Sequence, residues 1–148
     1  MSKKDVIDII AFYPKISGEI AFYERMKSNI EEKYGVRGVS VAETPPDGAV
    51  GDPTGRNAER MAESGDGDHL REIEAEVERL QRLRSQIFGA LKLLPYYEKQ
   101  VVWYYYIDGK RWAWIARAVG YSVMQCQRLR DSAIEGLAKS FNENSVKR

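Results

Sequence analysis

Val6, Ile9, Ile10 and Tyr13 fall on one face of a helical period, and Ile16, Ile20, Tyr23, Ile30 and Tyr34 carry that face onward in steps of three and four. Lys27 stands at the one step where an apolar residue is missing. The pattern predicts a helix over residues 5–34, kinked or restarted at Pro14 and closed by Gly35. Periodicity then stops. The run GVRGVSVAETPPDGAVGDPTG is rich in Gly and Pro, so residues 36–67 read as a loop or linker. A short helix over 53–62 fits inside it, with Asp52 as N-cap and Pro53 in the first turn.

A narrower seam follows. Leu70, Ile73, Val77, Leu80, Ile87, Leu91 and Leu94 keep a heptad spacing, with Arg84 at one interrupted position and Glu78 set four before Arg82. So thin an apolar stripe must pack on another helix. The partner is either the first helix, folded back as an antiparallel hairpin, or a second copy of the chain; a hairpin that also self-associates is favoured. Pro95 ends this register and opens a short helix with Val101, Val102, Tyr105 and Tyr106 as its apolar positions. Asp108-Gly109 is a turn signal. Trp112, Ile115, Ala116 and Val119 mark a second short helix closed by Gly120. Ser122 caps a third, whose inward face is Cys126, Leu129, Ala133, Ile134 and Leu137. Residues 142–148, NENSVKR, read as a flexible tail.

The expected fold is therefore all-α. Residues 1–94 form a helical hairpin or coiled-coil arm, residues 95–141 a three-helix domain. No apolar run approaches the roughly 18 residues of a membrane span, and the basic start MSKKDVIDII lacks the marks of a signal peptide. A cytoplasmic protein is expected. One Cys (Cys126) and one His (His69) exclude a disulfide framework and a Cys/His zinc site. They also leave no Ser/His/Asp or Cys/His set, and no phosphate-cradling Gly loop precedes a helix and Lys, so an enzyme is not expected. Cys126 reads as a small buried hydrophobe, His69 as a solvated helix-start residue. Asp66-Gly67-Asp68 fails as a calcium loop, because the required Gly and Glu positions fall on Arg71 and Val77. No metal or cofactor is expected.

Charge adds one point. The net charge of +1 hides nine cations against five carboxylates from Pro95 onward, a balance of +4. From Glu43 to Leu80 four cations face eleven carboxylates, a balance of −7. A polyanion would meet the C-terminal end.

Two short helices joined by a Gly-containing turn and then a capped longer one describe a helix-turn-helix. Small Ala116 lets the helices cross closely, Gly120 accepts a positive torsion, and Ile115, Val119 and Leu129 form the wedge. The outward residues at the start of the last helix are Val123, Met124, Gln125, Gln127 and Arg128, joined by Asp131. Gln pairs with adenine, Arg with guanine, and apolar side chains with a thymine methyl, so the first five are the expected base-contacting set. Lys110, Arg111, Arg117, Ser122 and Arg130 are the expected phosphate-contacting set.

The segment LPYYEKQVVWYYYIDGKRWAWIARAVGYSVMQCQRLRDSAIEGL, residues 94–137, resembles the region-four helix-turn-helix of bacterial sigma factors. It is more similar still to the sigma-like regulators of phages and prophages of the ArpU and RinA type. The matching residues are Leu94, Pro95, Tyr106, Ile107, Gly109, Trp112, Ile115, Ala116, Gly120, Tyr121, Ser122, Gln125, Arg128, Leu129, Ala133 and Leu137. Cys126 departs from the usual aliphatic residue. The resemblance implies a sequence-specific regulator of phage late or lytic genes in a bacterial host, binding double-stranded DNA, with RNA polymerase as a further partner. A homodimer through the helical N-terminal half would double the site.

Other readings compete with it. A small-terminase-like DNA-packaging protein also joins a helix-turn-helix to helical oligomerisation segments. A module contacting only polymerase would use the domain's aromatic face, and a plain three-helix bundle would merely wet its polar side. The run Trp103-Tyr104-Tyr105-Tyr106 could stack bases, yet aromatic runs in a helix must bury something, so packing inside and against the heptad helix is expected. Trp112 reads as core and Trp114 as an exposed contact.

Overall fold

The computed structural model describes residues 1–35, 59–60 and 62–146. Regular structure among them is helical throughout, as the apolar periods require. The elements are α1 (Lys3–Lys33), α2 (Asp66–Lys92), α3 (Tyr96–Val102), a π-helical segment (Trp103–Ile107), α4 (Trp112–Val119) and α5 (Val123–Glu143). No helix among the described residues is long and apolar enough to cross a membrane. The loop expected over 36–67 and the short helix expected over 53–62 fall largely outside the described residues. At their far edge residues 59–60 and 62–64 are helical, and α2 begins at Asp66.

Contacts divide the chain into two compact units, Met1–Ser17 with Gln81–Arg148, and Gly18–Leu80. The boundary expected between residues 94 and 95 falls inside the first of them.

In the unit Gly18–Leu80, Ile20, Tyr34, Ile73 and Leu80 are buried. Lys27 pairs with Glu74 at 3.3 Å and Lys33 with Asp66 at 3.0 Å, so within this unit the two helices run antiparallel. Helix α1 passes through Pro14 without a break and ends at Gly35, whose φ of +64° suits a residue lacking Cβ. Asp66, placed by the sequence in the loop over 36–67, instead opens α2 and is only 7% exposed. Its Oδ2 accepts the Tyr34 hydroxyl at 2.5 Å and the Lys33 ammonium at 3.0 Å. Ser64 Oγ lies 2.9 Å from the same Tyr34 hydroxyl, and the Arg60 guanidinium sits 5.0 Å over the Tyr34 ring. These donors hold the Asp66 carboxyl below its ordinary value, the Tyr34 hydroxyl first and the Lys33 ammonium next. His69 is exposed, 4.0 Å from the Asp66 carboxylate.

In the other unit the core gathers Val6, Ile9, Ile10 and Ile16 of α1, Leu83, Ile87, Ala90 and Leu91 of α2, and the inner faces of α3 to α5. The heptad needs one correction. Leu83, three after Leu80 and four before Ile87, is the buried step where a strict heptad puts Arg84. Arg84 itself lies at the edge of the seam and donates to Ser17 Oγ at 3.1 Å.

Pro95 precedes α3 in extended backbone and accepts the Lys99 N–H at 2.9 Å. Val101 and Val102 are fully buried. The helix then widens: the Asp108 N–H reaches back five residues to the Trp103 carbonyl at 2.9 Å. This wide turn spreads the aromatic run. Trp103 meets Tyr13 of α1 edge-on at 5.8 Å, Tyr104 meets Trp114 at 5.0 Å, and Tyr105 stacks on Trp112 at 4.3 Å. Half-buried in these contacts, the run serves packing. Gly109 has the positive φ its turn requires.

The tail also differs from expectation. Asn142 and Glu143 continue α5, Ser145 takes a left-handed φ of +52°, and Val146 returns to the core at 1% exposure. The Val146 N–H donates to the Phe141 carbonyl at 2.9 Å, and the Ser145 N–H to Asn142 at 3.4 Å. This is a Schellman closure, with a buried Val where a frayed end was expected. Residues 147–148 lie outside the described residues.

Candidate nucleic-acid interface

Helices α4 and α5 are joined by three residues whose geometry is set by short-range chemistry. Gly120, at φ +87°, donates its N–H to the Ala116 carbonyl at 2.9 Å and ends α4. Ser122 then starts α5. Its Oγ accepts the Gln125 N–H at 3.1 Å, while the Gln125 side-chain oxygen faces the Ser122 N–H at 3.5 Å, a capping box. Beneath the turn, Val101, Ile115 and Cys126 form a buried cluster against which Trp112, Ala116, Val119 and Leu129 pack. The wedge of Ile115, Val119 and Leu129 is thus part of this cluster. Burial pushes the Cys126 thiol above its ordinary value, so it stays protonated and unreactive.

On α5 the buried residues Cys126, Ala133, Ile134, Leu137 and Phe141 define the inner arc. The opposite arc carries Met124, Gln125 and Arg128, all exposed, with Val123 exposed at the helix start. Met124 is the most open at 62%, and the Arg128 guanidinium rests on its sulfur at 3.6 Å. Two expected site residues depart from this face. Gln127 precedes buried Ile134 by two helical turns and is half-buried, so it cannot share the arc of Met124 and Arg128. Arg130 precedes Ile134 by four and is also half-buried. Its guanidinium lies 5.1 Å over the Trp112 ring and 6.0 Å over Tyr105, with Nε 3.0 Å from the Asp131 carboxylate. Arg130 therefore braces α5 against the aromatic cluster and is not a free phosphate contact. Gln125 is only partly free, since its oxygen is turned to the cap.

Lys110, Arg111 and Arg117 are exposed as a phosphate role requires. The Lys110 ammonium sits 4.8 Å over the ring of Trp114, itself exposed, and Arg111 is the residue before α4. Ser122 is exposed, its oxygen engaged in the cap. Trp112, expected in the core, is half-buried between Tyr105 and Arg130.

Sequence reading missed a second exposed group. Tyr96, Tyr97 and Tyr121 meet edge-to-face at 5.1 Å and 4.9 Å. All three are exposed, Tyr96 at 64%. Tyr121 also lines a shallow depression of about 340 Å3 with Gln125, Arg128 and Leu129. The signal was present: three tyrosines beside a proline and a Gly-Ser turn lack the spacing of a core stripe. No group of His, Cys, Asp and Glu among the described residues could hold a metal ion. Comparison with family models, curated proteins and solved structures yields no match to this chain.

Proposed function

We propose that the chain is a sequence-specific DNA-binding transcriptional regulator in which α4, the Gly120–Ser122 turn and α5 act as a helix-turn-helix of the sigma-region-four kind. The exposed arc of α5 lies in the major groove, with Arg128 and Gln125 reading base edges and Val123 and Met124 touching methyl groups. Lys110, Arg111 and Arg117 hold the phosphates. The helical N-terminal half pairs two copies, so that two recognition helices meet two half-sites. The sequence resemblance adds phage or prophage genes as the target and RNA polymerase as a second partner.

The observation that carries this reading is the capped start of α5. Its inward residues Cys126 and Leu129 pack in the Ile115 cluster, while the opposite side presents Met124 and Arg128 to solvent, and Lys110, Arg111 and Arg117 are exposed in the same domain. Exposed Val123 and Met124 add apolar groups suited to thymine methyls. The test is fluorescence anisotropy of the full chain on selected and on random duplexes at low ionic strength. Preference for a selected sequence supports the proposal. Failure to bind any duplex sinks it.

A further inference from the structure

We infer that the depression beside Tyr121 is a site for one unpaired guanine base; the inference rests on the DNA-binding reading above. Tyr121 supplies a ring for stacking, steadied by the edge contacts to Tyr97 and, through it, Tyr96. With Tyr96 and Tyr97 it forms an exposed aromatic cluster, a kind of surface that marks interaction sites. The partner's chemistry follows from the other lining groups. The depression is lined by Tyr121, Gln125, Arg128 and Leu129, with no carboxylate among them, so a polyanionic strand approaches without repulsion.

The polar groups also choose the base. The capping box engages the Gln125 oxygen with the Ser122 N–H at 3.5 Å, so the amide nitrogen is the group this side chain has left to offer a ligand. Arg128 has only donors. A wall of donors beside a stacking ring matches an edge made only of acceptors, and the O6 and N7 of guanine are such an edge. Adenine and cytosine each present an amino donor instead, and thymine offers a single acceptor, O4, beside its methyl group. Single-strand binders gain affinity from aromatic stacking in the same way.

The test uses the full chain and three labelled duplexes: fully paired, with one bulged guanine, and with one bulged cytosine. Bulged guanine is expected to bind at least fivefold tighter than the paired duplex, the lower end of what one stacked base contributes, and also tighter than bulged cytosine, whose amino group faces the Gln125 and Arg128 donors. Tyr121→Ala should abolish that preference and Tyr121→Phe, which keeps the ring, should retain it. Gln125→Glu preserves the cap but replaces the amide donor with an acceptor, and should erase the difference between guanine and cytosine. This variant carries the test if Tyr121→Ala fails to fold. Equal binding of the three duplexes, or a preference untouched by Tyr121→Ala and Gln125→Glu, overturns the inference while duplex recognition stands. The tyrosines would then be a surface for a protein. Binding to bulged DNA alone would overturn duplex recognition and leave this site standing.

Discussion

Ser145 sits in a backbone region where an L side chain crowds its own carbonyl, at a cost of roughly 1–2 kcal/mol. It tolerates this because the closure it completes returns Val146 to the core. Glycine meets the same torsion without the clash but loses more entropy on folding. Ser145→Gly should therefore stabilise the protein by about 0.5–1 kcal/mol, read as a melting temperature a few degrees higher. An unchanged or lower value would mean that the left-handed turn is not kept in solution. A second residue links structure to pH. Asp66 has its folded-state pKa held down by Tyr34 and Lys33, so its contribution is complete above the ordinary carboxylate range and disappears as pH falls through the folded value. The melting-temperature gap between the native chain and Asp66→Asn should be full near neutrality, begin to narrow as pH falls below about 4, and close only below the lowered folded-state value. A gap independent of pH would show that the carboxylate charge plays no part.

At the scale of elements, the seam of α2 shows what a sequence pattern can and cannot convey. Leu80, Ile87 and Leu91 were legible because their spacing holds one face. Leu83 was not, since a strict heptad puts the next position at Arg84; an ordinary helix of 3.6 residues per turn admits either. Burial decides between them, and burial is tertiary. Leu83→Ala should cost about 2–5 kcal/mol, while Arg84→Ala, at the seam's edge, should cost far less. Chemical denaturation of the two variants separates the assignments, and equal losses would restore the heptad. The Gly120 turn and the Ser122 cap were readable for a different reason. Both depend on local torsions and on hydrogen bonds spanning three or four residues, which sequence encodes directly. The widened turn at Trp103–Ile107, the inward lean of Gln127 and the stacking of Arg130 on Trp112 depend on which helix lies opposite. No spacing rule contains that. The Val146 closure was hidden for a similar reason, because its left-handed position carries Ser in place of the Gly that would have signalled it.

For the whole molecule, the proposed DNA binding turns on the number of cations free to meet phosphates. Sequence alone offered Lys110, Arg111, Arg117 and Arg130 as charged contacts, but the last is committed to Trp112 and Asp131. Lys110, Arg111 and Arg117 remain per copy, exposed and without a carboxylate partner among the described residues, although Lys110 rests on exposed Trp114. Each phosphate neutralised releases counterions and contributes about −0.9 to the slope of log affinity against log salt. One copy on duplex DNA should thus give a slope of about −3, and a pair of copies about −5. The slope therefore counts both contacts and copies in one titration. Lys110→Ala should weaken every sequence alike and flatten the slope by about 1 per copy, because a phosphate contact carries no base information. Arg130→Ala should leave the slope unchanged and lower stability instead, since its charge is already paired. Arg128→Ala should do neither: it should cost about 1–3 kcal/mol on the selected sequence and far less on random DNA, relaxing recognition at one base pair. Anisotropy titrations of the three variants across a range of salt separate these roles. If Arg130→Ala flattens the slope as Lys110→Ala does, the stacked guanidinium leaves Trp112 to meet the phosphates. If Arg128→Ala weakens selected and random DNA equally, the exposed arc of α5 does not read bases.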